Sequence, residues 1–356
     1  MKPLAIASLA AWAAATAAVA HDGPVRADAH APIGIMGDHT HHAGEFMFSY
    51  RFMHMDMKGS LDGTDDISPQ AIVTSVANPN APPATLRVAP LKMGMDMHMF
   101  GAMWAPSDRV TLMAMTSYVQ KDMDHLTFQG MSGTTQLGTF TARSEGFGDT
   151  RVIALISVAK TAASSLHVQA GVSAPTGSID KSDQVLTPMN TRPTLTLPYA
   201  MQLGSGTWDP ILGVTVRHKA GDWTFGGQAN AIFRVAKNDR DYALGDEFNA
   251  SAWAAWSPAP AWSFSARTQY ASSGGIDGRD TRITAPVQTA DPANYGGERL
   301  DLYAGVNWVG QSGALRGQRF AAEIGAPIYQ DLNGPQLKTG WTLMLGWQYA
   351  PGGMRH

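Results

Sequence analysis

The chain has no cysteine. That absence excludes disulfide scaffolds, thiolate zinc sites, iron–sulfur clusters and cysteine nucleophiles. Charge is scarce too: 15% of residues are Asp, Glu, Lys or Arg, against about 25% in ordinary soluble domains. With 26 basic and 29 acidic side chains the formal charge is −3, which leaves no electrostatic footprint for nucleic acid. Beyond the N-terminal run, no stretch approaches the roughly 18 uninterrupted apolar residues of a membrane-spanning helix. Helical periodicity is nearly absent, and no glycine cluster opens a helix as a phosphate loop requires. Low charge without helical spans implies that something other than water solvates part of this surface.

The chain starts with Met1-Lys2 and an Ala-rich apolar run ending in Ala18-Val19-Ala20. A charged start, an apolar middle and a small-x-small end are the parts of a secretory signal peptide, so residues 1–20 are expected to be cleaved and the mature chain to begin at His21. An exported chain without a helical anchor is either a soluble periplasmic or secreted protein or an outer-membrane barrel.

Period-2 alternation runs through most of the sequence. Trp341, Leu343, Leu345, Trp347 and Tyr349 share one face of a strand, with Thr342, Met344, Gly346 and Gln348 on the other. The same reading predicts about twelve strands, near 45–57, 92–104, 108–120, 149–160, 164–174, 208–218, 222–235, 246–257, 261–271, 298–310, 317–328 and 339–350. Most are longer than the usual strand of about 5–6 residues and match the roughly 9–11 residues of a tilted transmembrane strand. Short links such as Ala105-Pro106-Ser107, Thr161-Ala162-Ala163 and Lys219-Ala220-Gly221 alternate with long ones, as when tight turns face the periplasm and large loops face outward. Trp104, Tyr118, Trp208, Trp223, Trp256, Trp262, Trp308, Trp341 and Trp347 sit at strand ends, where aromatic girdles belong. The expected fold is an all-β antiparallel transmembrane β-barrel of about 12 strands, spanning 45–350, with short periplasmic turns and long extracellular loops. Residues 21–44 are expected as a Met/His-rich periplasmic lead-in and 351–356 as a tail. A soluble sandwich or propeller is the rival, but neither needs apolar residues on the outward faces of so many long strands.

Several segments also carry a resemblance. Ala31-Pro32-Ile33-Gly34-Ile35-Met36-Gly37-Asp38-His39 runs into Glu45-Phe46-Met47-Phe48-Ser49-Tyr50-Arg51, and Ala174-Pro175-Thr176-Gly177-Ser178, Leu197-Pro198-Tyr199-Ala200-Met201-Gln202-Leu203-Gly204-Ser205-Gly206-Thr207 and Tyr329-Gln330-Asp331-Leu332-Asn333-Gly334-Pro335-Gln336-Leu337 follow. This pattern resembles the outer-membrane proteins grouped as "putative MetA-pathway of phenol degradation", often labelled transporters. The resemblance implies an outer-membrane barrel of loosely defined cargo and no catalytic signature. The chain departs from the usual barrel ending, because Ala350 to His356 follow the last aromatic residue.

Methionine is the residue in excess. Of 19, 14 fall between Met36 and Met131, and eight of the 11 histidines fall between His21 and His125. Thioethers select soft Cu(I), and imidazoles suit Cu(II), zinc or nickel. Met53, Met55 and Met57 share one face of the first predicted strand, opposite Phe46, Phe48, Tyr50 and Phe52. With the aromatics toward lipid, those methionines and Met113 and Met115 of the third strand face the lumen. In the second strand Asp96 and His98 are expected inward, sending Met95, Met97 and Met99 to lipid. His39, His41 and His42 precede the first strand as candidate metal-capture residues. The candidate metal set is therefore Met53, Met55, Met57, Met113, Met115, His39, His41, His42 and His98, with copper the fitting ion and no cofactor required. Methionine is equally an adaptable apolar lining, so passage of a small hydrophobic or aromatic solute is the leading reading and a soft-metal passage the alternative. A structural barrel or an outer-membrane enzyme stands behind both. For the enzyme, His167 shares a face with Gln169 and Ser173, but no nucleophile elbow is present.

Arg51, Arg151, Arg234, Arg267, Asp301 and Glu323 lie on polar strand faces and are the candidates for a lumen constriction. Asp62-Gly63-Thr64-Asp65-Asp66 and Asp277-Gly278-Arg279-Asp280 lack the ligand spacing of a calcium loop and read as turns. The expected partners are outer-membrane lipid and a small-molecule or metal-ion solute, the expected state a monomer, and the expected location the outer membrane of a Gram-negative cell.

Overall fold

A computed structural model describes residues 25–351. The expected signal peptide (1–20), the expected mature start at His21 with residues 22–24 of the lead-in, and residues 352–356 of the tail lie outside the described residues. The chain forms one closed antiparallel sheet. Its strands are β1 (Phe46–Gly63), β2 (Val88–Ser107), β3 (Val110–Phe128), β4 (broken into Gln136–Phe147 and Thr150–Lys160), β5 (Ser164–Ala174), β6 (Asp209–Ala220), β7 (Trp223–Ile232), β8 (Glu247–Ala259), β9 (Trp262–Ser273) and β10 (Gly297–Val309). The final strand, Gln318–Tyr349, is 32 residues long and doubles back. Its first part, β11 (318–332), pairs with β10, while its second, β12 (336–349), pairs with β1 and closes the ring. Gly334, at φ 71°, supplies the left-handed residue at the reversal. Eleven long strands, the last folded on itself, thus make twelve staves without a free edge.

The alternation expected from the sequence appears as two differently solvated faces. Leu212, Val214 and Val216 of β6, Phe225 of β7, Phe264 of β9, Leu302 of β10 and Ile324 of β11 point outward and are exposed in the isolated chain. Their lumen-side alternates are buried and polar: Gln169, Thr215, Gln228, Arg267, Asp301 and Glu323. Transferring each large apolar side chain from water to lipid is worth about 1.5–3 kcal/mol, so this belt fixes the barrel in a bilayer. Phe46, Trp104, Trp223, Trp256 and Trp262 ring the end with short turns, and Phe147, Trp208, Phe248 and Tyr329 ring the other.

The backbone departs from the sequence pattern in two places. The upper half of β4, Gln136–Phe147, belongs to none of the expected strands; it rises above the aromatic ring and pairs with β3 from Tyr118 to Phe128. One face is open to water, as at the Arg143–Asp122 bridge of 2.8 Å, while Ala142 and Phe140 on the other pack against Leu197 and Met201 of a loop, so no lipid face imposes an alternation. The second departure concerns the segment expected as a periplasmic lead-in. Residues 25–44 enter the barrel, where Ala27, His30, Ala31, Ile33, Ile35, Asp38 and His41 are all buried. An irregular segment cannot pair its own backbone as a helix or strand does, and lumen side chains satisfy much of it instead.

Candidate functional site

The N-terminal segment forms a two-limbed plug. One limb starts at the short-turn end, where the Ala27 amide donates to the Pro260 carbonyl at 2.7 Å. The other returns there, where the Gly44 amide donates to Ala105 at 2.8 Å. Between them the tip, Ile33 to Gly37, stands in the lumen. Barrel side chains hold it by its backbone. Arg319 donates to the Ala31 carbonyl at 2.5 Å, Gln228 to Met36 at 2.8 Å, His167 to Gly37 at 2.8 Å and Gln169 to Gly37 at 3.1 Å. Arg51 donates to Ile35 at 3.3 Å. The Gly34 amide donates to Glu323 at 2.8 Å, and Glu323 is paired with Arg267 at 2.7 Å with both side chains fully buried. Ile33 lies flat on Gly346 of β12, where a Cβ would collide with it.

Above the tip lies a chamber of about 650 Å³. Its floor is Ile33, Gly34 and Met36; its roof is Tyr199 to Ser205 with Tyr295. Lys121 ties that roof to the wall by donating to the carbonyls of Ala200 at 2.8 Å and Gln202 at 2.6 Å. In the roof, Tyr295 receives the Ala200 amide at 3.0 Å and donates to Thr289 at 2.6 Å, and burial pushes its phenol pKa upward. Eight methionines line the chamber: Met36, Met53, Met55, Met95, Met97, Met99, Met115 and Met344. A polar vestibule of about 440 Å³ adjoins it through Met55, Leu244, Glu247, Asn249 and Tyr295, and is bordered by Glu298, Arg299, Gln330 and Thr339.

The second strand is where the sequence reading inverted. Met53 stands opposite Met97 and Met55 opposite Met95 in the β1–β2 register, so all four share the lumen face. Asp96 and His98 point outward instead. His54 meets Asp96 at 2.6 Å, and Tyr50 meets His98 at 2.8 Å on the same outer surface. Pairing with those neighbours is what permits the polar groups there. Phe100 and Trp104, on that same face, were the signal that could have assigned it.

The other candidates divide by height. Met53 and Met55 line the chamber, Met115 borders both it and a smaller cup of about 200 Å³ beside the plug tip, and Met113 lines that cup. Met57 lies higher, packed against the cluster of Met93, Met123 and Met201. His39 and His41 are inside the plug; His42 is at the short-turn rim, 3.2 Å from Asp108. Arg51, Arg267 and Glu323 anchor the plug rather than narrowing an open pore. Asp301 is held by Arg299 at 2.8 Å, Arg151 faces the chamber, and Arg234 bridges Asp209 and Glu247. His167 and Gln169, weighed as catalytic partners, are plug anchors. Sequence reasoning missed Met95, Met97, Met99, Arg319 and the plug itself.

A family model described as "Putative MetA-pathway of phenol degradation" matches residues 109–308. The chain belongs to this family. An outer membrane channel, COG4313, from Pseudomonas putida F1 shares the fold at 14% identity and a TM-score of 0.57, over 88% of this chain and 98% of that one. The toluene transporter TodX of P. putida aligns at 8% identity and a TM-score of 0.41, over 88% and 91% of the two chains. A FadL homologue of Pseudomonas aeruginosa aligns at 10% identity and 0.38, over 86% and 89%. No curated protein matches the sequence. Family membership and the COG4313 likeness agree with the architecture above, an antiparallel barrel of the outer-membrane type.

Proposed function

We propose that the protein is a monomeric outer-membrane channel that lets a small hydrophobic or aromatic solute pass down its own gradient. The observation carrying this reading is the methionine chamber. At about 650 Å³ it falls within the roughly 300–1,000 Å³ of small-molecule sites. Thioethers contact aromatic rings favourably, by about 0.3–1.5 kcal/mol each, and adapt to ligands of varied outline. The "phenol degradation" of the family description, the COG4313 channel and a signal-peptide-like start all fit a channel of this kind in the outer membrane.

Charge favours this reading over passage of free Cu(I). Arg51, Lys121 and Arg151 border the chamber against Asp149, Arg234 being neutralised by Asp209 and Glu247, and that surplus of positive groups repels a bare cation. An uncharged phenol, or an aromatic carboxylate, meets no such barrier.

The test is phenol and toluene influx into liposomes holding the purified protein. Met53→Leu with Met97→Leu conserves volume and polarity, so influx is expected within twofold of the unaltered protein. Met97→Lys adds a charge to the chamber and is expected to cut influx at least tenfold. Equal influx in protein-free liposomes and in all three preparations would refute the proposal. Cu(I) influx abolished by the double Leu change would favour the metal reading instead.

A further inference from the structure

We infer that the plug holds a divalent transition-metal ion of the zinc(II) or copper(II) class between its two limbs. The site stands apart from the solute chamber and does not depend on what passes through it. His30 comes from the first limb, and Asp38 and His39 come from the second. Their candidate ligand atoms all lie within 4.8 Å of one another. His30 Nδ1 is 3.8 Å from Asp38 Oδ2, and His39 Nδ1 is 2.9 Å from Asp38 Oδ1. The rings of His30 and His39 meet edge to face at 4.8 Å, and the His41 ring lies 4.7 Å from that of His39.

Two observations single this cluster out from an ordinary network of buried histidines. His39 Nε2 and His41 Nε2 are both buried without a hydrogen-bond partner, and the His41 side chain is only 1% exposed. A buried polar nitrogen left unpaired costs about 1–3 kcal/mol, a cost that a bound ion removes. On His41 the opposite nitrogen is already engaged, with Glu45 Oε2 3.3 Å from Nδ1. A carboxylate on one ring nitrogen fixes the tautomer and turns the other lone pair toward a metal, the outer-shell arrangement that metal-bound histidines share. The Ala31 amide holds Asp38 Oδ2 in turn at 2.8 Å.

The donor set selects the ion. Imidazole nitrogens with a carboxylate suit Zn(II), Cu(II) or Ni(II) rather than Cu(I) or a hard alkaline-earth ion. Tetrahedral ligation at about 2.0–2.1 Å sets donor atoms about 3.4 Å apart, so the groups need to close by little more than 1 Å. Arg319, which holds the Ala31 carbonyl, places positive charge on the wall beside the site, and Asp38 and Glu45 offset it. With ligands from both limbs, the ion would staple the plug shut.

The experiment uses the full mature chain, untagged, in detergent micelles and stripped of metal. Titration with zinc sulfate and separately with copper sulfate is followed by calorimetry, and hydrogen exchange of residues 30–41 is measured with and without each ion. One equivalent is expected to bind and to slow exchange in both limbs. His30→Ala and His39→Gln are expected to weaken binding at least tenfold and abolish the slowing; His42→Ala, at the rim, is expected to leave both unchanged. Heat-modifiable migration shows that each variant is folded. Absence of binding overturns the inference. So does binding that survives His30→Ala and His39→Gln, as copper held at the chain terminus would.

Discussion

Replacing Gly34 by Ala tests whether the plug tip is held where the geometry says. A Cβ at Gly34 would lie 2.5 Å from Glu323 Oε2 and 2.9 Å from Arg267 Cζ. Neither group can retreat. Both side chains are fully buried and joined at 2.7 Å, the Arg267 guanidinium lies 3.9 Å over the Tyr303 ring, and Gln269 takes another of its hydrogens at 2.5 Å. Gly34 is not among the residues with positive φ, so the added methyl brings no backbone penalty and acts only by contact. The plug must therefore back away and give up the Gly34 amide bond to Glu323. A hydrogen bond to a charged group is worth about 1.5–3 kcal/mol. A loss of about 2 kcal/mol, at about 1.4 kcal/mol per factor of ten, raises the displaced population about 30-fold. Hydrogen exchange of residues 30–40 should quicken by about that factor, and planar-bilayer recordings should show more frequent openings. The belt and the sheet are untouched, so the heat-induced gel shift should stay at the same temperature. Unchanged exchange together with unchanged conductance would refute the claim that this contact seats the plug.

Two further outcomes follow from the barrel itself. Gly226 of β7 faces the indole of Trp253, where a Cβ would overlap the ring, so Gly226→Val should lower the temperature of the gel-migration change by at least 5 °C or prevent folding; an unaltered transition would count against the inward placement of Trp253. Bromine-labelled lipids should quench Trp223, Trp256 and Trp262, which lie on the outward face, and spare the buried Trp253; single-Trp variants would show the contrary if the faces were reversed.

The barrel was legible because lipid on one side and lumen on the other impose a period of two that few other environments sustain. Expected and observed limits of β5 coincide at 164–174, and β7, β8 and β9 agree within three residues at either end. Above the membrane the signal fades, since β3 and β4 continue upward where both faces are wet or packed on loops. In β2 two rules conflicted: ionisable groups avoid lipid, and aromatics mark the lipid face. Phe100 and Trp104 obeyed the second, and Asp96 and His98 satisfied themselves through His54 and Tyr50. The plug left almost no trace, because irregular chain held by its carbonyls needs no pattern of side chains. Its partners Arg319, Gln228 and His167 sit some 130 to 290 residues away in sequence, a distance no local reading spans.

Both limbs of the plug hang from the end of the barrel with short turns. No stave has to be crossed for the segment to leave, so its withdrawal is a sliding movement along the barrel axis and not an unthreading. Against that slide stand the hydrogen bonds with Arg51, Thr111, His167, Gln169, Arg217, Gln228, Arg319 and Glu323, the Lys219–Asp28 bridge and the packing of Ala31 and Ile35 on Trp253. The rim of strands can stay rigid throughout, like a socket from which a bolt is drawn, and the same socket receives it again with every partner still in position.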